Sequence, residues 1–294
     1  MISAFLAMAS AAQTPVNPML LPIGGGRVRQ VQAGWTDLRS GRSASAEAVA
    51  EAAKEHRFVL LGESHDNPHH HRMQADVIRA LAAQGREVVI GLEMFTRDNQ
   101  RNLAGWTHGS WTEAEFIERS NWKTQWGFDY SLYRPVFEAA RELRAPLVAL
   151  NLPRGWVRRI GRQGPAALEP GEAIWAPDID TETPDHLKVF TALLGGHPLA
   201  GERGRNMHAA QVSWDEAMAQ TAVDWMAGVQ SRKAVMVILA GSGHALYGQG
   251  INLRLARKGH PSLTVIGSEV GAVRDGVMSS VGEFLYVSPD VPRS

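Results

Sequence analysis

The chain has 294 residues, 44% of them hydrophobic, with 30 basic and 30 acidic side chains and no cysteine. That is material for one large core or a core with a substantial insertion, and the neutral balance supplies no electrostatic footprint for nucleic acid. The missing thiols exclude disulfides, thiolate ligands, thiol nucleophiles and lipidation through cysteine.

Residues 1–12 are small and apolar, and Ser10-Ala11-Ala12 suits a secretory cleavage site, although no positively charged region precedes it. A signal remnant or extended lead-in is expected over 1–43, then one domain over 44–294. No other run reaches the roughly 20 apolar residues of a membrane span, so a soluble body is expected. Residues 45–55 read as a short helix capped by Ser45, 57–61 as a strand, and 69–83 as a helix with Met73, Val77 and Leu81 on one side. Residues 87–93 and 146–150 read as further strands, with helical segments near 97–105, 111–120 and 132–144 between them. The glycines and prolines of 161–183 predict irregular chain. Residues 206–230 form the most strongly patterned helix: Met207, Gln211, Trp214, Met218, Ala222, Trp225 and Val229 make a stripe expected to be buried. Gln211 needs hydrogen-bond partners within that stripe, and His208 and Asp215 lie beside it. With a strand at 235–240, the fold class is α/β: a central, mostly parallel sheet flanked by helices, with a helical insertion or lid over about 95–230.

Two segments carry the chemistry. Gly62-Glu63-Ser64-His65 and Gly241-Ser242-Gly243-His244 each follow a hydrophobic strand, so both histidines are expected just past strand carboxyl ends, where open α/β sheets place their sites. Glu93 ends another such run, and a carboxylate there needs a partner. His65, His244 and at least one of Glu63 and Glu93 are therefore expected to share a polar site. The set could bind zinc, manganese, cobalt or iron, with a glutamate as base to metal-bound water in a hydrolase, or it could hold a ligand without metal. No His-Glu-x-x-His helix is present, and Ser64 lacks a nucleophile-elbow context. His69-His70-His71 begins a helix, where consecutive side chains diverge; a solvated or supporting role is expected. Trp106, Trp111, Trp122, Trp126, Phe128, Tyr130 and Tyr133 crowd the insertion, with Arg134 alongside. Their default use is packing, yet such aromatics can line a pocket for a planar ligand. Any haem would be non-covalent, since no Cys-x-x-Cys-His motif exists.

LLGESHDNPHHHRMQ at 60–74, VVIGLEMF at 88–95, WGFDYSLYRPVFEAAR at 126–141, ALNLPR at 149–154, AAQVSWDEAMA at 209–219 and AGSGHALYGQGI at 240–251 together resemble the ChaN family of iron-regulated haem-binding proteins, within the Tiki, TraB and erythromycin-esterase-like superfamily. The resemblance implies an α/β core with a helical subdomain, and haem held cofacially at a homodimer interface through tyrosine. It also implies an envelope setting linked to haem or iron uptake, with uptake proteins as partners. In Tiki-like relatives the paired segments and a glutamate form a divalent-metal protease centre, corresponding here to His65, His244 and Glu63 or Glu93. By the same comparison Tyr133, Arg134, Asn151 and Arg154 are pocket residues. Of Tyr130, Tyr133, Tyr247 and Tyr286, Tyr133 and Tyr247 rank first as haem ligands. The absent cysteine departs from members anchored as lipoproteins, which favours a soluble over an anchored periplasmic form if the chain is exported; a cytoplasmic setting is the alternative. A metal-dependent hydrolase and a non-catalytic partner-binding surface remain the alternatives.

Overall fold

The computed structural model describes residues 16–109 and 111–292; the expected signal remnant at 1–12 lies outside them. Ten strands occur among these residues: β1 (Val28–Arg29), β2 (Gly34–Asp37), β3 (Arg42–Ser43), β4 (Phe58–Glu63), β5 (Glu87–Thr96), β6 (Leu147–Asn151), β7 (Ala234–Gly241), β8 (Ser262–Glu269), β9 (Val277–Met278) and β10 (Phe284–Ser288). Eight form one sheet in the order β3-β2-β10-β8-β4-β7-β5-β6, while β1 and β9 pair separately. From β10 to β6 every pairing is parallel; β2 and β3 add an antiparallel edge.

The parallel strands are buried on both faces, which explains their unbroken apolar runs. Alternate residues enter two cores. Val59, Leu61, Ile90, Leu92, Val237 and Leu239 face one side, and Leu60, Val89, Val148, Met236 and Ile238 face the other. On the first side lie α1 (Ala46–Ala52) and α2 (Pro68–Ala83). Ser45 caps α1 as its sequence position suggests, accepting the Ala48 N–H at 3.2 Å. Asn67 caps α2 by accepting the His69 N–H at 2.9 Å, and its amide donates to Ser288 Oγ at 2.9 Å. The start of α2 is thereby tied to the end of β10.

The segment expected as a lid is divided by β6. Before it come α3 (Ala104–His108), α4 (Glu113–Arg119), α5 (Trp122–Gln125) and α6 (Tyr130–Leu143), whose aromatic residues join the first core. After it come α7 (Arg154–Gln163), α8 (Pro170–Ala173), α9 (Pro184–Leu193) and α10 (Gly201–Ala227), then α11 (Ile251–Arg257) beyond β7. Helices α9, α10 and α11 contribute to the second core. Edge strand β6 is blunted by Gln100, whose amide donates to the Leu147 carbonyl at 2.9 Å and accepts the Ala149 N–H at 2.7 Å, standing in for a neighbouring strand.

Two expectations change. The irregular stretch at 161–183 contains the end of α7 and the short α8, and α10 starts before residue 206. Met207 and Trp225 are more than a third exposed, whereas Asn206, His208 and Asp215 are buried. Helix α10 thus buries a polar face that an apolar periodicity passes over.

Strand β7, with neighbours on both sides, should be the least forgiving of lost volume. Leu239→Ala removes a fully buried side chain and should lower unfolding free energy by about 2–5 kcal/mol, read as a lower urea midpoint with an unchanged m-value.

Candidate functional site

β4 and β7 pair with Glu63 opposite Gly241, so the two Gly-x-x-His segments leave the sheet side by side. β5 flanks β7 with Leu92 level with Leu239, which carries Glu93 to the same edge. Glu93 Oε2 accepts the Gly241 N–H at 2.7 Å. A Cβ on residue 241 would lie 2.8 Å from Cε1 of His65; glycine there lets the imidazole cross the end of β7.

His65 Nδ1 donates to Glu63 Oε1 at 2.6 Å. Its ring packs edge-on against Trp126, with centroids 4.6 Å apart, and lies 5.4 Å from Phe128. The Tyr133 hydroxyl donates to the same Glu63 oxygen at 3.2 Å. His71 donates from Nε2 to the His65 carbonyl at 3.2 Å, while its own ring lies 3.8 Å from that of Tyr133. His70 accepts the Ser64 N–H at 2.9 Å and donates to the Ser268 carbonyl at 3.0 Å. Both histidines are buried supports for the loop that presents His65. Burial opposes charge on His65, but the Glu63 carboxylate prevails and raises its pKa.

His244 belongs to a deeper chain. Its Nδ1 donates to Asp215 Oδ1 at 2.6 Å, its Nε2 lies 3.4 Å from Glu93 Oε1, and the Gln211 amide nitrogen is 3.1 Å from Nδ1. Asp215 Oδ2 also accepts from His186 Nε2 at 2.9 Å, and His186 Nδ1 accepts from His208 Nε2 at 2.7 Å. Arg254 stands 3.8 Å from Asp215. Burial opposes the charge on His244, yet Glu93 and Asp215 on either side raise its pKa to about 10. In return, against its own burial, Glu93 is lowered to about 2, chiefly by His244, and Asp215 is held below the ordinary carboxylate range. Burial, with His186 and Arg254 nearby, pushes His208 down to about 4.

These groups open into a cleft of about 480 Å³, within the usual size range of small-molecule sites. Trp126, Phe128 and Trp214 form its aromatic walls; His65, Glu93, Asn151, Arg154, Arg158 and His244 supply polar groups. The structure therefore brings together His65, Glu93, His244, Asn151 and Arg154, with Glu63 and Tyr133 directly behind His65. Arg134 lies apart, paired with Glu113 at 2.7 Å on the outer surface. Tyr247 lines a separate hollow, its hydroxyl accepting the Leu21 N–H and donating to the Pro18 carbonyl, both at 2.9 Å. Sequence reasoning flagged Gln211, His208 and Asp215 as neighbours but missed His186 and Arg254, which come from distant helices with no local pattern. Arg158 had a signal, one helical turn after Arg154.

Among the described residues no group of three or more His, Cys, Asp or Glu is arranged to hold a metal ion. The expectation of zinc, manganese, cobalt or iron on His65, His244, Glu63 and Glu93 thus finds no support in the donor set. His244 faces Asp215 through Nδ1 and Glu93 through Nε2, so both of its ring nitrogens are already directed at carboxylates.

Fold and site define an α/β protein with an aromatic-walled cleft at the carboxyl edge of a parallel sheet. Residues 49–255 match the family described as haem-binding uptake, Tiki superfamily, ChaN, and the chain belongs to that family. Among solved structures, ChaN of Campylobacter jejuni, which binds heme cofacially, is similar with a TM-score of 0.65 at 17% identity, covering 86% of this chain and 95% of that one. At that identity the likeness is one of fold. A mutant of the erythromycin esterase EreC in its open conformation scores 0.48 at 14% identity, covering 80% and 77%. The type III effector HopBA1 scores 0.48 at 11%, covering 89% and 99%. No curated protein matches the chain by sequence.

The buried pairing sets a pH dependence. A raised His244 stabilises the fold fully below its ordinary value of 6.5 and loses that contribution as pH rises through about 10. A lowered Glu93 contributes fully above 4.5 and loses its share as pH falls through about 2. The melting-temperature gap between wild type and His244→Gln should be widest between these windows and narrow from pH 6.5 to 10. A gap constant over that range would mean His244 is uncharged in the fold.

Proposed function

We propose that this protein binds haem non-covalently in the cleft beside His65, as part of bacterial haem or iron uptake. The observation that carries the reading is the cleft's composition: aromatic walls from Trp126, Phe128 and Trp214 beside the guanidinium groups of Arg154 and Arg158. Haem is a flat conjugated ring bearing two carboxylates, so it needs an apolar slot with cations at one end. The family description of haem-binding uptake supports the same ligand. The chain contains no cysteine, so no thioether attachment can form.

An envelope setting, uptake proteins as partners and a homodimer belong to this proposal and draw support from the family alone. No helix among the described residues is long and apolar enough to cross a membrane. For the hydrolase alternative, no metal-donor group of three or more side chains occurs among the described residues, and no observation favours a bare partner surface over the cleft.

Hemin titrated into the purified protein should shift its Soret band with saturation. Arg154→Ala combined with Arg158→Ala should weaken binding at least roughly tenfold, because a charged hydrogen bond contributes about 1.5–3 kcal/mol. Absence of a saturable shift would dismiss haem as the ligand.

A further inference from the structure

The resemblance to ChaN implies a tyrosine ligand for haem, but the placement of this chain's tyrosines argues otherwise. The sequence has four, and none lines the cleft. Tyr133 is fully buried behind His65 with its hydroxyl on Glu63. Tyr130 is buried in the aromatic core, its ring stacked on Phe137. Tyr247 is engaged at a different hollow, and Tyr286, on β10, packs against Trp35 of the neighbouring β2. A tyrosine ligates ferric iron as phenolate. Burial raises the pKa of all four, Tyr247 to about 12.

The cleft contains few other groups able to ligate iron. His244 is clamped between Asp215 and Glu93, and Glu93 is itself occupied by Gly241 and His244. Met94 is almost wholly buried. His65 differs from all of these. Its side chain is one-third exposed, and its Nε2 has no hydrogen-bond partner among the described residues. Its Nδ1 is fixed on the Glu63 carboxylate, the arrangement that sets an imidazole's tautomer and strengthens Nε2 as a ligand. Trp126 and Phe128 hold the ring from the sides, and Tyr133 steadies Glu63 from behind.

We propose that His65, through Nε2, ligates the haem iron in this protein in place of a tyrosine. The inference rests on the haem reading above and adds the identity of the ligand. The Nε2 lone pair forms the bond, any proton there passes to solvent, and Glu63 retains the proton on Nδ1. Tyr133 and Glu63 become positioning residues, and the ligand field is that of a nitrogen donor.

The test uses full-length protein loaded with hemin after growth on ¹⁵N-histidine. Pulsed electron paramagnetic resonance should detect ¹⁵N hyperfine coupling to ferric iron. His65→Gln should lose that coupling, and His65→Gly should regain a nitrogen-ligated optical spectrum when free imidazole is added. Tyr133→Phe should keep the coupling, while Glu63→Gln should lower hemin affinity roughly 10–100-fold. Wild type that binds hemin without ¹⁵N coupling, or His65→Gln that retains it, would overturn the histidine assignment and leave haem binding intact. Wild type that fails to bind hemin would overturn both. If the His65 variants do not fold, ¹⁵N coupling that persists in His244→Gln would uphold His65, the other histidine lining the cleft, and coupling lost there would reject the assignment.

Discussion

The site depends on the parallel pairing of β4 with β7. That register sets Glu63 opposite Gly241 and so places two segments, far apart in the chain, at one edge. A one-residue slip would turn every side chain of a strand to the other face, carrying His65 off Gly241 and moving Leu60 and Leu61 into each other's core. The apolar content of both faces therefore secures the geometry of the polar edge. Packing and site are specified by the same alternation.

At that edge the buried charges have to be reconciled. Glu93 and Asp215 are nearly or wholly inaccessible, and an unpaired carboxylate there would be strongly unfavourable. His244 lies between them and accepts the role of counter-cation, with His186 and Arg254 completing the surroundings of Asp215. This consumes the chemistry of His244. It leaves His65, supported by Glu63 and exposed to the cleft, as the imidazole with a ring nitrogen available to a ligand. Two motifs that look alike in sequence thus reach different settings, one histidine clamped between two carboxylates and the other, proposed above as the haem ligand, beside the aromatic wall of the cleft.

Much of this was legible from residue order. Strand ends followed by histidine, the apolar runs, the Ser45 cap and the polar positions of α10 all rest on local periodicity, and local rules transfer directly to the fold. The aromatic-rich segment was visible too, but its division was not. Trp106, Trp122 and Tyr133 pack inward, whereas Trp126 and Phe128 reach the cleft, because a turn at Gly127 and the start of α6 redirect the chain between them. No composition rule separates those two sets.

The sequence by itself determined the α/β class, the presence of two histidine segments at strand ends, the absence of thiol chemistry and the family, since each depends on residue type and short-range spacing. Only the tertiary structure decided that β7 inserts between β4 and β5, that His186 and Arg254 share Asp215, and that all four tyrosines stand clear of the cleft. Those outcomes depend on strand order and on which helix covers which face. Such choices are made by the burial of the whole sheet, and no single stretch of chain encodes them.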